Sequence, residues 1–545
     1  MTSVPQEDVR WRTIFIIAIV VGVFFRLWHA DLKLYNPDEA NTSLRISGHT
    51  NHDLGTFEND GKVHSIRDLR VFGAPTPQTQ PAAIVRSLAH EDPQHPPLYF
   101  LAMFASERAT GDSIFWRRFP SIVFGILAIA AAWWFGRELF GAPWPAWCLA
   151  ALVAVSPFHV AFAQEAREYS LFLLLLCLSS ASLLAALRSG RPIAFAAYAA
   201  SVALGLWSFT LFAFVAASHA AYLALPVSGA DLRRRLFGLG ALTAGALSFL
   251  PWLLNLMQRA GVAAEDTAWQ TTSLTAPLYL AKLVFNLGTV FFDLDYLSLL
   301  FAPVAGLCIV IAACTSWVFL RRAGPRVWFL PVTLGVITVC VLIAPDLIKH
   351  ETRATQSRYL LSLWVAIEAG VAGGAWMALR SAHGIKKSAW NAALGGLLAC
   401  GIVSCAVASN ARFWWISGAP QLRAFPAITD RLQALPGPTV VYFENNDELL
   451  LLEPLSGGNI SFDLHRQLDE AALRSAPHPY AVLTSEEASH VVVLPEIARV
   501  PVESTFEMRP DPALDRLRHS NNAARKTPDR LDLALYGLAE ARSTR

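Results

Sequence analysis

Cysteine is scarce, seven in 545 residues, and Cys148, Cys177, Cys308, Cys314, Cys340, Cys400 and Cys405 all stand in apolar runs, without ligand-like spacing. That distribution argues against both a disulfide framework and a cysteine zinc site. Charge is scarce too: 16% of the residues are charged and the net charge is +2. A nucleic-acid partner would need a basic, aromatic-lined footprint, and none stands out, so no nucleic acid is expected. No GxGxxG opens a helix after a strand, which disfavours a nucleotide-sugar donor. The first apolar run lacks a small-residue cleavage site before Arg26, Leu27 and Trp28, so it reads as a retained helix and not a signal peptide. Repeated halves and paired broken helices, the marks of a transporter or lipid flippase, are not visible.

Hydrophobic residues, in contrast, make up 54% of the chain, and the mean hydropathy is +0.39. This balance belongs to a polytopic membrane protein. Apolar runs near 13–30, 114–136, 143–163, 170–187, 192–208, 211–227, 237–256, 296–320, 327–345, 359–380 and 388–409 give about eleven spans at 1.5 Å per residue. With these spans, Arg10/Arg12, Arg137, Arg188/Arg191, Arg233 to Arg235, Arg321/Arg322/Arg326 and Arg380/Lys386/Lys387 fall on one side, the cytoplasm by the positive-inside rule. Parity then makes 95–111 and 276–292 segments that lie along the surface without crossing. It also puts the long loop 29–113, the turn 163–170, the loop 257–295, the stretch 345–359 and everything after Asn410 on the outer face. "GPTVVYFENNDELLLL" and "YAVLTSEEASHVVVL" read as strands beside helical runs, with a charged tail after about residue 510. The expected architecture is an all-α polytopic membrane domain over 1–409 and a small extracytoplasmic α/β domain over 410–545.

Three polar foci could carry chemistry. Asp38 and Glu39 open the outer loop, with Arg45 within two helical turns, and "EDPQHPPLYF" with His95 closes it. Gln164, Glu165, Arg167, Glu168 and Tyr169 sit between two spans joined by almost no loop. Charges so close to hydrocarbon are costly unless they face a polar cavity. Arg353 and Arg358 flank a short turn before a span, and their planar guanidiniums suit a phosphate headgroup. His159 and His219 read as satisfied core histidines, whereas Glu368 reads as a lipid-groove residue.

Together these stretches resemble the GT-C superfamily of integral membrane glycosyltransferases, in particular the bacterial relatives of protein O-mannosyltransferases and of the lipid A aminoarabinose transferases. The resemblance rests on "NPDEA", "HPPLYF", "RRFPSIVFG" leading into "GRELFG", "QEAREYS" and "SRYLL", in that order, over roughly residues 20–375. It implies a polyprenyl-phosphate-linked sugar donor amid membrane lipids, an acceptor of undefined class (protein, lipid or glycan), and a bacterial inner membrane with the N-terminus cytoplasmic. It carries the catalytic base onto Asp38, with Glu39 beside it and Glu165 or Glu168 as a second outer acid, and the lipid-phosphate contact onto Arg358 and Tyr359. Arg45 stands in for an arginine that the family places three residues after the acid, where this chain has Asn41. In the aminoarabinose transferases an acidic and a basic residue precede the Pro-Pro, in a region where metal ligation occurs. Here Gln94 and His95 hold those places, so a divalent metal is an open cofactor without assigned ligands. Transfer from such a donor needs a base for the acceptor hydroxyl and cations for the leaving phosphate, and a single displacement inverts the anomeric carbon. The competing readings are a transporter or flippase and a non-enzymatic scaffold.

Overall fold

The structure is a computed structural model that describes residues 6–58, 60, 64–267, 270, 274–295 and 300–414, and four strands beyond them. From the N-terminus, α1 (Gln6–Leu27) is followed by the short helices α2 (Pro37–Ile46), α3 (Asn51–Glu58), α4 (Arg70–Gly73), α5 (Pro81–Glu91) and α6 (Leu98–Thr110). Then come α7 (Ile114–Phe140), α8 (Pro143–Val155), α9 (Pro157–Ala163), α10 (Tyr169–Ser189), α11 (Pro192–Ser208) and α12 (Phe212–Ala224). The series continues with α13 (Leu232–Ser248), α14 (Leu250–Gln258), α15 (Ala260–Asp266), α16 (Ala276–Gly288), α17 (Ala302–Arg322), α18 (Pro325–Lys349), α19 (Leu361–Ser381) and α20 (Gly384–Ser409).

Over the described residues, each of the eleven apolar runs is mainly helical. Among the described residues, six segments are long and apolar enough to cross a membrane: α7, α10, α17, α18, Ser357–Ser381 and α20. The pairs α8/α9 and α13/α14, bent by 59° and 51°, raise that number to eight, while α11 and α12 are shorter apolar helices. The chain is a multi-pass membrane protein. At 13 residues each, α6 and α16 are about 20 Å long and fall short of a bilayer core.

The bends correct the sequence reading, which found no paired broken helices. Pro157 and Pro251 are the cause, since neither has an N–H to continue the ladder. At the first break Ser156 is extended, and the freed carbonyls of Val153 and Ala154 need donors. Arg26, fully buried in α1, supplies them: its Nη2 donates to Val153 O at 3.0 Å and its Nη1 to Ala154 O at 2.6 Å. In return Gln164, just past α9, donates to Phe25 O and Trp28 O at the end of α1, at 2.7 and 2.9 Å. Gly22 makes the approach feasible, because a Cβ there would lie 2.2 Å from Ala154 O. Two helices thus complete each other's broken backbone ladders.

The chain divides into two compact units. The first comprises Met1–Leu32, Leu88–Ser106 and Phe115–Ala411; the second comprises Lys33–Ser87, Glu107–Ile114 and Arg412–Arg545. The second unit holds a five-stranded sheet of β1 (His64–Ser65), β2 (Thr439–Tyr442), β3 (Ile460–Asp463), β4 (Tyr480–Thr484) and β5 (Ala534–Gly537) in the order β1-β3-β2-β4-β5. β2 runs parallel to both β3 and β4, and the two edge strands pair antiparallel. Parallel neighbours need crossover connections, and segments 443–459 and 464–479 are long enough to provide them. β1 comes from the segment between α3 and α4 and β5 from within the charged tail. The helical runs expected after residue 414 lie outside the described residues.

Candidate functional site

In the second unit, "NPDEANTSLR" folds as the start of α2. Asn36 is the N-cap and Pro37 holds the first helical position, where a missing N–H costs nothing. Asn36 Oδ1 accepts from Glu39 N–H at 2.9 Å, and Glu39 Oε2 accepts from Asn36 N–H at 3.1 Å, a reciprocal capping box. Glu39 is fully buried in that role, whereas Asp38 is half-buried and its carboxylate takes no part in the box. Both acids occupy the first turn, where the helix dipole favours negative charge. Arg45 lies on the last turn, seven residues from Asp38 and so on the same face. It is buried and donates to Ser87 Oγ at 3.4 Å.

In the first unit, residues 164–169 link α9 to α10, and Gln164, Glu165, Arg167, Glu168 and Tyr169 are all buried. His95, just ahead of α6, joins them. Its Nδ1 meets Glu168 Oε1 at 2.9 Å, while Arg167 Nη2 lies 3.2 Å from its Nε2 and Arg167 Nε 3.5 Å from Glu168 Oε2. Asp92, not singled out in the sequence, completes the cluster at 3.8 Å from His95 and accepts from Gln94 Nε2 at 2.6 Å. Tyr169 packs edge-on against Phe162 and Phe209.

Burial opposes the charge on Glu168, yet Arg167 and His95 overcome it and hold its carboxyl at about 2, below the ordinary 4.5. Burial likewise opposes the imidazolium of His95, but Asp92 and Glu168 prevail over burial and Arg167, making it more basic than the ordinary 6.5. A lowered carboxylate adds stability above its unfolded pKa and loses it only as pH falls through about 2. A raised histidine adds stability below its unfolded pKa and loses it as pH climbs through the raised value. Amide-exchange protection of 164–169 is therefore expected to drop as pH rises above about 6.5, with His95→Gln flat over the same interval. A flat wild-type profile would refute the pairing.

The third group lies between α18 and α19. Asp346, near the end of α18, accepts from the backbone N–H of Arg353 and Ala354 at 2.8 and 2.9 Å and from Tyr279 Oη of α16 at 2.8 Å. Asn286 of α16 donates to Thr355 O at 2.7 Å. Gln270 donates to Tyr359 Oη at 2.9 Å, and its carbonyl accepts from Thr352. Arg353 pairs with Glu351, and Arg358 lies over the ring of Tyr359 at 5.7 Å. Arg353, Arg358 and Tyr359 are half-buried, on a segment fixed by two-sided hydrogen bonding. Asp346 was not singled out in the sequence.

His159 and His219 are satisfied core histidines, His219 against Ser180 and Tyr198. Glu368 does not line a lipid groove: it is fully buried against His159, 3.1 Å away. Among the described residues, no cluster of three or more His, Cys, Asp or Glu side chains is placed to hold a metal. The His-Pro-Pro region does not fit one either, because both His95 nitrogens are engaged and Arg167 already supplies a cation there.

Comparison with known proteins agrees with this architecture. Residues 94–254 match the family model for dolichyl-phosphate-mannose-protein mannosyltransferase. ArnT from Cupriavidus metallidurans bound to undecaprenyl phosphate is similar over 88% of this chain and 93% of its own, with 15% identity and a TM-score of 0.50. The Archaeoglobus fulgidus oligosaccharyltransferase AglB, in complex with an inhibitory peptide and a dolichol-phosphate, is similar over 83% of this chain, with 12% identity and a TM-score of 0.47. The chain spans 64% of that protein's length. No curated protein sequence matches the chain. The fold is that of the GT-C integral membrane glycosyltransferases. The stretch from Gln94 through the buried cluster to α14 is similar to the dolichyl-phosphate-mannose-protein mannosyltransferase family.

Proposed function

We propose that this protein transfers a sugar from a polyprenyl phosphate to an acceptor hydroxyl at the extracytoplasmic face of a bacterial inner membrane, with inversion. The observation that carries this reading is the family match over 94–254, which encloses the buried His95–Arg167–Glu168 cluster. Asp38 accepts the acceptor's proton as its oxygen bonds to the anomeric carbon. The bond from that carbon to phosphate breaks, and the polyprenyl phosphate leaves with the electron pair. Arg358, Tyr359 and Arg353 hold the phosphate, while Glu39 keeps the Asp38 turn in shape. Glu165 is the second acid; His95, Gln164, Arg167, Glu168, Tyr169 and Arg45 shape the substrate surroundings. The lipid-bound state of ArnT supports a polyprenyl-phosphate donor.

Native mass spectrometry of protein drawn from membranes tests the lipid class. The expected spectrum carries a polyprenyl-phosphate mass that is lost in Arg358→Ala; ordinary phospholipid adducts alone would count against the donor. The two bent helix pairs favour a lipid flippase as a second reading, which predicts transbilayer movement of the labelled lipid without sugar transfer.

A further inference from the structure

His159 and Glu368 lie apart in sequence and away from the three groups of candidate site residues, yet each belongs to an element that carries one of those groups. His159 is in α9, a seven-residue helix that leads directly into Gln164 and Glu165. Glu368 is in α19, whose start is preceded by the turn bearing Arg358 and Tyr359. His159 Nε2 meets Glu368 Oε2 at 3.1 Å, with the two side chains 1% and 0% exposed. A second contact runs alongside: Phe158 packs edge-on against Trp364, centroids 6.1 Å apart. Trp364 and Glu368 are four residues apart and share a face of α19. Trp364 in turn donates its indole N–H to Ser357 O at 2.9 Å, the residue before Arg358. A continuous path therefore runs from the acidic turn through α9 and across to α19, and back along it to the arginine.

Apolar side chains would hold these helices together at a lower desolvation cost. What a buried hydrogen-bonded pair adds is one register in place of several. We infer that His159 and Glu368, aided by the Phe158–Trp364 contact, are positioning residues that set the spacing between the acidic turn 164–169 and the phosphate-binding segment 353–359. The inference rests on the proposed assignment of Arg358 to the donor phosphate. It makes α9 more than the second half of a bent span: the bend aims His159 at α19.

The test uses the full chain in lipid nanodiscs and undecaprenyl phosphate as the probe. Glu368→Ala is expected to weaken binding about tenfold, and Glu368→Gln, which keeps a hydrogen-bonding side chain of the same length, only about two- to threefold. Trp364→Phe removes one hydrogen bond while keeping an aromatic ring, and should give a smaller loss of the same kind. In an Arg358→Ala background Glu368→Ala should add nothing further, because a positioning residue acts through the group it positions. Additive losses, or wild-type affinity in Glu368→Ala while Arg358→Ala loses binding, would overturn the inference and leave the donor assignment standing. If wild-type protein does not bind the probe, the donor assignment fails and hydrogen exchange decides the rest. Joint loss of protection at 164–169 and 353–359 in Glu368→Ala, restored in Glu368→Gln, supports the coupling; loss confined to one segment refutes it. Trp364→Phe carries the same readouts should Glu368→Ala not fold.

Discussion

Replacing Asp38 by asparagine is expected to cut sugar transfer by about 10²–10⁴-fold, the usual worth of a positioned general base. Donor binding should stay within about twofold, because the base acts on the acceptor. The substitution is nearly isosteric and sits in the first turn of α2, outside the capping box. Loss of the charge from that turn removes a dipole contribution of about 0.3–1 kcal/mol. Glu39 supplies the contrast. Glu39→Gln can still complete the box with Asn36 and should keep most of the activity, whereas Glu39→Ala leaves the Asn36 N–H without its side-chain acceptor and should destabilise the turn. Measuring lipid-donor binding and transfer separately in reconstituted vesicles distinguishes the two acids. Equal loss in Asp38→Asn and Glu39→Gln would show that the box, and not a base, is what matters; full activity in Asp38→Asn would favour a scaffold or a flippase.

Arg358→Ala is expected to lose both donor binding and turnover, the latter by about 10²–10³-fold. Charge accumulates on the donor phosphate as the glycosidic bond breaks, so a fixed guanidinium stabilises the transition state more than the bound donor. Lysine preserves the charge without the two-pronged fork, so Arg358→Lys should retain partial activity. The structure adds a control. Tyr359 receives a hydrogen bond from Gln270, and the adjoining turn is anchored on Asp346, so Arg358→Ala removes a charge from a segment whose backbone is held independently. Wild-type binding and turnover in Arg358→Ala would remove this residue from the phosphate site.

The helices were legible in the sequence because membrane insertion demands long apolar runs, and each run is long enough to be read without its neighbours. The breaks within them were not. "ALVAVSPFHVAFA" has the composition of an uninterrupted span, and Pro157 alone does not reveal whether distant donors will permit a sharp bend. Those donors sit on Arg26, more than a hundred residues away in the chain. The acidic turn was legible as a cluster, since five polar residues between two spans are conspicuous. Its pairing with His95 and Asp92 was not, because sequence order carries no distance. Glu368 shows the same limit: its partner is 209 residues away, so an isolated carboxylate and an isolated histidine each looked solitary. After the first helix the Asn-Pro-Asp-Glu spacing is that of a capping box, a local pattern that the sequence can convey in full.

The pairing of β1 with β3 also governs when the second unit can be completed. His64 pairs in register with Phe462 and Ser65 with Ser461, so this early strand meets a partner made some 400 residues later. At about 5–20 residues per second, ribosomal synthesis leaves β1 waiting roughly 20–80 s. Throughout that interval its segment is a bare edge, open to pairing with other chains, and it is only two residues long, which limits that hazard. The segment that begins with Asp38 is thus made early and finished late: its strand contact can form only after synthesis has passed β3.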